Sequence, residues 1–299
     1  MIRKSFLLVI IYSAILFGQD AGNSGLSFLK NGASARSISA GDIGQLNGDL
    51  SSVFYNPASI NFQESASIMF THQAWIQDLR SEILNTGFTF WGLPFNVGVN
   101  TTKMSGFEAR SNPTDEPDAT FDVNFFYGSI STGFTLYEKL DFGISIKYLY
   151  ESFLSDDASG TGYDFGLIYS DVIDDLTIGA SLRNIGSMDK LREEKTQLPS
   201  DLILNSTYKL IFSSVSLNVN PVIGVQKFLE SDDLHIHFGA ETIYKEQFSL
   251  RLGYITGYDS KGFTAGAGVY WNGFNIDYAF VPFNFGIGNA NTISLMYTF

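Results

Sequence analysis

Residues 140–150 read Leu-Asp-Phe-Gly-Ile-Ser-Ile-Lys-Tyr-Leu-Tyr. Leu140, Phe142, Ile144, Ile146, Tyr148 and Tyr150 are apolar or aromatic, with Asp141, Gly143, Ser145 and Lys147 between them. Side chains alternate across a strand with period two, so this stretch has one wholly apolar face and one that is polar or bare. A sandwich core gives the same alternation. A membrane barrel differs by repeating it in roughly ten-residue segments, with aromatics at the ends and Gly, Ser, Thr and Asn on the other face. The sequence repeats it: Leu176, Ile178, Ala180 and Leu182 alternate with Thr177, Gly179, Ser181 and Arg183, and Phe263, Ala265, Ala267, Val269 and Trp271 with Thr264, Gly266 and Gly268.

Working outward, the same reading predicts strands near 65–74, 83–91, 94–104, 121–136, 140–153, 161–170, 175–185, 200–210, 214–226, 233–244, 248–256, 262–271, 274–281 and 290–299. The expected fold is therefore all-β, a fourteen-stranded antiparallel transmembrane barrel over 65–299. Its connections alternate in length. Asn272-Gly273, Tyr137-Glu138-Lys139 and Lys245-Glu246-Gln247 are short, and 105–120, 154–160, 186–199, 227–232, 257–261 and 282–289 are longer. Short periplasmic turns and longer external loops alternate in outer-membrane barrels, so both termini are expected on the periplasmic side. Pro221 falls inside a strand, where it removes a ladder donor, and predicts a bulge or local break. The last strand carries Ile293, Leu295, Tyr297 and Phe299 on one face. Tyr297 and Phe299 resemble the signal read by the outer-membrane barrel assembly machinery, which with outer-membrane lipid is an expected partner.

Composition agrees. Of 299 residues, 16% are charged, 27 are Phe and 15 are Tyr, whereas soluble domains carry roughly 25% charged residues. No apolar run reaches the roughly 18 residues that a spanning helix needs. Arg3-Lys4, the apolar run Phe6 to Phe17 and then Gly18 predict a signal peptide over 1–18. Its removal leaves 16 basic residues against 31 acidic, a net charge of −15. Nucleic acid is thereby excluded as a partner, since nothing offsets its phosphates. With no Cys, zinc-thiolate sites and Cys nucleophiles are excluded too.

Residues 19–64 do not alternate and are small, polar and Gly-rich. About eight strands already enclose all that side chains can fill, so a fourteen-strand lumen needs a plug, and this segment is expected to be an N-terminal luminal hatch. Phe28-Leu29-Lys30-Asn31-Gly32, Ala35-Arg36, Ala40-Gly41 and the run Val53-Phe54-Tyr55-Asn56-Pro57-Ala58 resemble the opening of the PorV/PorQ family of outer-membrane proteins. The aromatic-Asn-Pro-Ala element also looks like the hatch of the FadL family of hydrophobic-substrate channels. The resemblance implies a FadL-like barrel with Phe28, Leu29, Gly32, Arg36, Asn56, Pro57 and Ala58 in the hatch. It also implies an accessory role in type IX secretion or cargo attachment, with secretion components and cargo proteins as partners.

His235-x-His237 is the one imidazole cluster, and with Glu241 it has the donor types of a metal site. The polar lining of a wet lumen accounts for it equally, and no metal is assigned. A three-residue connection at 245–247 pairs residue 244 with 248 and so sets Glu241 opposite Arg251 on the inward face. Gly143, Gly166, Gly179, Gly239, Gly253, Gly266 and Gly268 share that face, where they let a hatch approach the wall. No Gly-x-Ser-x-Gly elbow or Walker-type loop occurs, so neither enzymatic activity nor a cofactor is expected. Three functions stay open, one of them a purely structural or adhesive barrel. A hydrophobic-solute channel needs an apolar pocket above the hatch and a lateral exit, whereas a secretion accessory needs loops that grip a protein.

Overall fold

A computed structural model describes residues 24–299 apart from 45, 47–49 and 114. The expected signal peptide, the start of the expected hatch and the mature N-terminus lie outside the described residues. The wall strands are β1 (Ser67–Ala74), β2 (Leu79–Phe90), β3 (Leu93–Ala109), β4 (Ala119–Tyr137), β5 (Leu140–Phe153), β6 (Asp156–Tyr169) and β7 (Leu176–Met188). They continue as β8 (Asp201–Tyr208), β9 (Leu217–Phe228), β10 (Leu234–Tyr244), β11 (Phe248–Ile255), β12 (Phe263–Trp271), β13 (Phe274–Phe283) and β14 (Gly288–Thr298). Each strand pairs antiparallel with its sequence neighbours, and β14 pairs with β1 from Ser67↔Thr298 to Ala74↔Asn291, which closes the ring. The fold is a closed fourteen-strand antiparallel barrel.

Burial runs opposite to that of a soluble domain. On β5, Ser145, Lys147 and Glu151 are buried while Ile146 is 53% and Tyr148 51% exposed. Period-two alternation thus points its apolar face outward, where lipid rather than a core receives it. Leu250, exposed by 69%, is among the barest of these outward side chains.

Two expected loops prove shorter than their sequence bounds, because strand runs into them. The connection between β3 and β4 shrinks to 110–118, and that between β5 and β6 to Leu154-Ser155, because Glu151↔Ala158 and Phe153↔Asp156 keep pairing. Asp156 and Asp157 break the apolar alternation without breaking the ladder, which does not need lipid to continue. Pro221 stays in register opposite Ala240. On its other side the ladder pairs Thr207 with Val222 and resumes at Leu210 with Val219, a local break without a bulge.

The two ends of the wall share one rim, where the Phe299 amide donates to the Ala66 carbonyl. The described residues between 24 and 62 lie against inward-facing wall residues and begin at the opposite rim, where the Gly25 amide donates to the Gln197 carbonyl. Their apolar side chains supply the interior. Leu26, Phe28 and Leu29 pack with Tyr127, Leu149, Met188 and Leu198; Ala35 and Ile38 pack with Ala279, Val281 and Ala290. Leu29 and Ile38 are fully buried, and each contributes roughly 1.5–3 kcal/mol of apolar burial.

Candidate functional site: the lumen filling and its latch

The N-terminal segment meets the wall on a belt of small residues. A Cβ at Gly143 would stand 2.3 Å from the Ala58 nitrogen, at Gly239 1.9 Å from the Ala40 oxygen, and at Gly266 2.4 Å from the Ser39 Cβ. Gly166 and Gly179 face Asn56, and Gly253 faces Gly41. Gly268 instead faces Asp277, Ser249 and Arg251. A side chain at Gly143, Gly166, Gly179, Gly239, Gly253 or Gly266 would push the segment off the wall.

Asn56-Pro57-Ala58 has a local and a long-range role. Asn56 caps a short 3-10 helix, Pro57–Phe62, its Oδ1 accepting from the Ala58 amide at 3.0 Å, and Pro57 occupies the first turn, where no amide partner is needed. The Asn56 amide donates to the carbonyls of Leu167 and Ala180, which face each other across β6 and β7. Asn205 of β8 grips the segment in return, donating to the carbonyls of Ile43 and Gly44 at 3.1 Å each. Gly32 covers the hydrogen bond from the Tyr55 hydroxyl to Asp42, where a Cβ would meet both side chains. Asp42 is buried, and desolvation raises its carboxyl above the ordinary value.

A buried ionic latch fixes the other half. Glu241 and Arg251 face each other across β10 and β11, Arg251 Nε donating to Oε1 at 2.7 Å. Arg36, in the one-turn helix α1 (Ala35–Ser39), donates to the same carboxylate through Nε at 2.9 Å and Nη2 at 2.7 Å. Arg251 also pairs with Asp277 at 2.7 Å and donates to the Tyr270 hydroxyl, while Asn220 donates to Glu241 Oε2. Two cations and two anions balance. In a second cluster Arg183 forks onto Asp201, Lys147 pairs with Asp164 at 2.7 Å, and both cations lie over the Phe54 ring.

The imidazoles separate. His237 Nδ1 lies 2.7 Å from the Gly41 carbonyl, and His235 stacks on Tyr258 at 3.8 Å. Glu241 is taken up by two arginines, and among the described residues no group of three donors is placed to hold a metal. Tyr297 packs on Phe274 and Phe299 at the rim, and Phe299 is 75% exposed. Sequence reasoning missed Asp277, Tyr270, Lys147, Asp164, Arg183 and Asp201. A charged residue on inward parity in mid-strand was the available signal.

At the rim where the segment begins, Trp75, Ile76, Leu79, Met104 and Tyr258 line a cup of about 240 Å³ floored by Ser27, Lys30 and Asn31 and flanked by Lys261. On the outer wall, Leu167, Ile178, Ala180, Leu204 and Ile223 line an apolar hollow of about 480 Å³ across β6 to β9. Behind it Gly179, Asn205 and Gly224 pair in one row, where Asn205 draws the wall towards the segment.

No family profile matches the sequence, and no curated protein matches it. Solved structures do. The chain is similar to the toluene transporter TbuX of Ralstonia pickettii, at 13% identity and TM-score 0.60, over 91% of this chain and all of that one. It is similar to the toluene transporter TodX of P. putida, at 12% identity and TM-score 0.61, over 90% and 99%. It is also similar to the monoaromatic hydrocarbon channel CymD, at 14% identity and TM-score 0.60, over 90% and 98%. What they share is the fold. It is the closed fourteen-strand antiparallel barrel, FadL-like in form.

Proposed function

We propose that this protein is an outer-membrane channel for small hydrophobic solutes, with residues 24–62 as the hatch that closes its lumen and the shared rim of the wall ends turned to the periplasm. The observation that carries this reading is the cup above the segment, at the rim the solute would meet first, with Trp75, Ile76, Leu79, Met104 and Tyr258 as its apolar side and Ser27, Lys30, Asn31, Gln77 and Lys261 as its polar side. The outer hollow beside the ladder break at Pro221 supplies the second element a lateral route needs. The neighbours' toluene and monoaromatic substrates agree with both. The docked segment leaves the glycine belt covered, which suits a gated path better than an aqueous pore. Tyr297 and Phe299 serve assembly in this reading.

The type IX secretion role implied by the PorV/PorQ resemblance draws no support from these neighbours. Of the connections at the cup rim, 75–78, 154–155 and 284–287 are short, and 110–118 and 189–200 are longer. The test is uptake of radiolabelled toluene by cells that lack other hydrocarbon channels and display the folded protein. Uptake above the empty-vector control is expected. Uptake equal to that control, with secretion of type IX cargo dependent on the protein, would overturn the reading.

A further inference from the structure

We infer that the cup at the rim binds a single-ring aromatic carboxylate, its ring against Ile76, Leu79 and Met104 beside Trp75 and its carboxylate on Lys30 and Lys261. This deepens the channel reading by naming a solute class, and it rests on that reading only for what happens after binding.

The apolar side is built for a ring. Trp75, Ile76 and Leu79 come from the β1–β2 edge and Met104 from β3, while Tyr258, on the β11–β12 connection, stacks on His235 and carries the Lys261 ammonium over its ring. At about 240 Å³ the cup lies below the roughly 300–1,000 Å³ that holds drug-sized ligands, which favours one ring over a long chain.

The cations decide the head group. Lys261 Nζ lies 4.6 Å from the Tyr258 ring centroid and 5.4 Å from that of Trp75; Lys30 Nζ lies 4.6 Å from the Phe228 ring. Among the described residues neither ammonium has a carboxylate at ion-pair distance. Asp42 acts on Lys261 from further off, its Oδ1 engaged by the Tyr55 hydroxyl, and Asp233, Glu230 and Asp201 act on Lys30 in the same way. Burial lowers both lysines from their ordinary value, so each ammonium is held at a desolvation cost. A neutral hydrocarbon leaves that cost in place. A carboxylate offsets it with charge-assisted hydrogen bonds, which are shorter and roughly twice as strong as neutral ones. A small hydrophilic anion would satisfy the lysines and waste the ring contacts.

The probes are benzoate and its neutral counterpart benzyl alcohol, titrated into the full-length protein in detergent micelles and read by calorimetry and Trp fluorescence, with Trp75→Phe identifying the reporting residue. Saturable benzoate binding is expected, with benzyl alcohol weaker by at least about tenfold, the scale of one lost charged contact. Lys30→Met and Lys261→Met should each weaken benzoate by a similar factor and leave benzyl alcohol unchanged, and Lys261→Arg should restore benzoate. Retained heat-modifiable migration shows that each variant remains a folded barrel. Equal affinity for the two probes, or benzoate binding untouched in the folded double Met variant, would overturn the proposal. Toluene uptake is scored separately, so a channel without an acid site and an acid site without transport give different results.

Discussion

Glu241 accepts from Arg36 of the N-terminal segment and Arg251 of the wall on a single carboxylate, with no solvent contact at Glu241 or Arg251. Removing one partner of a buried pair leaves an uncompensated charge and costs about 3–5 kcal/mol. Glu241→Gln removes the carboxylate that Arg36 and Arg251 share, leaves Arg251 on Asp277, and is expected to lower the urea midpoint of the refolded barrel. Replacing Arg36 and Glu241 together by Met and Gln should cost less than the sum of the single changes. Additive costs would mean that the latch does not couple segment to wall.

The glycine belt predicts a contrast between two inward positions on neighbouring strands. Gly143→Ala places a methyl group 2.3 Å from the Ala58 nitrogen, whereas Gly162→Ala meets its nearest neighbour, a Leu149 methyl, at 3.5 Å. Overpacking of the first kind costs typically 1–3 kcal/mol, so Gly143→Ala should destabilise the barrel and raise single-channel conductance as the segment lifts. Gly162→Ala should match the parent in both measurements.

Lipid exposure is tested at Leu250. Arg in its place should cost roughly 2–4 kcal/mol if it sits near the bilayer midplane, read as loss of folded yield in vesicles. The same substitution in detergent micelles should be far milder. Equal tolerance in both would place this face outside the hydrocarbon.

Asp42 gives a pH signature. Its folded-state carboxyl titrates above the unfolded value because burial disfavours the charged form. The native state therefore binds this proton more readily than the unfolded chain. The contribution to stability is greatest below the unfolded value near 3.8, declines as pH rises towards the raised folded value, and is constant above it. Asp42→Asn should remove that decline, checked by urea midpoints at a series of pH values upward from 3.

Strand number, facing and the register at 245–247 were legible because each rests on a strict period of two. The Glu241–Arg251 pairing follows from that period and one hairpin length. Strand ends were less legible. Above the lipid, residues such as Asp156 and Asp157 carry no alternation, yet their backbone groups go on pairing. The third member of the latch was out of reach: Arg36 lies 205 positions before Glu241, and no periodicity spans an irregular segment. The glycines were legible as inward-facing, but not which backbone atoms each one admits.

Ser67 pairs with Thr298, so the first wall strand waits for the last before the ring can shut. Contacts this distant in sequence form slowly, because the chain entropy of joining the ends is lost before any pairing rewards it. The N-terminal segment is made before any of the wall and must already be inside when the seam joins, or be threaded in afterwards through a rim. Closure is therefore also the moment of loading. A chain that shuts empty would be a kinetic trap, holding Leu29 and Ile38 in water outside a finished cylinder.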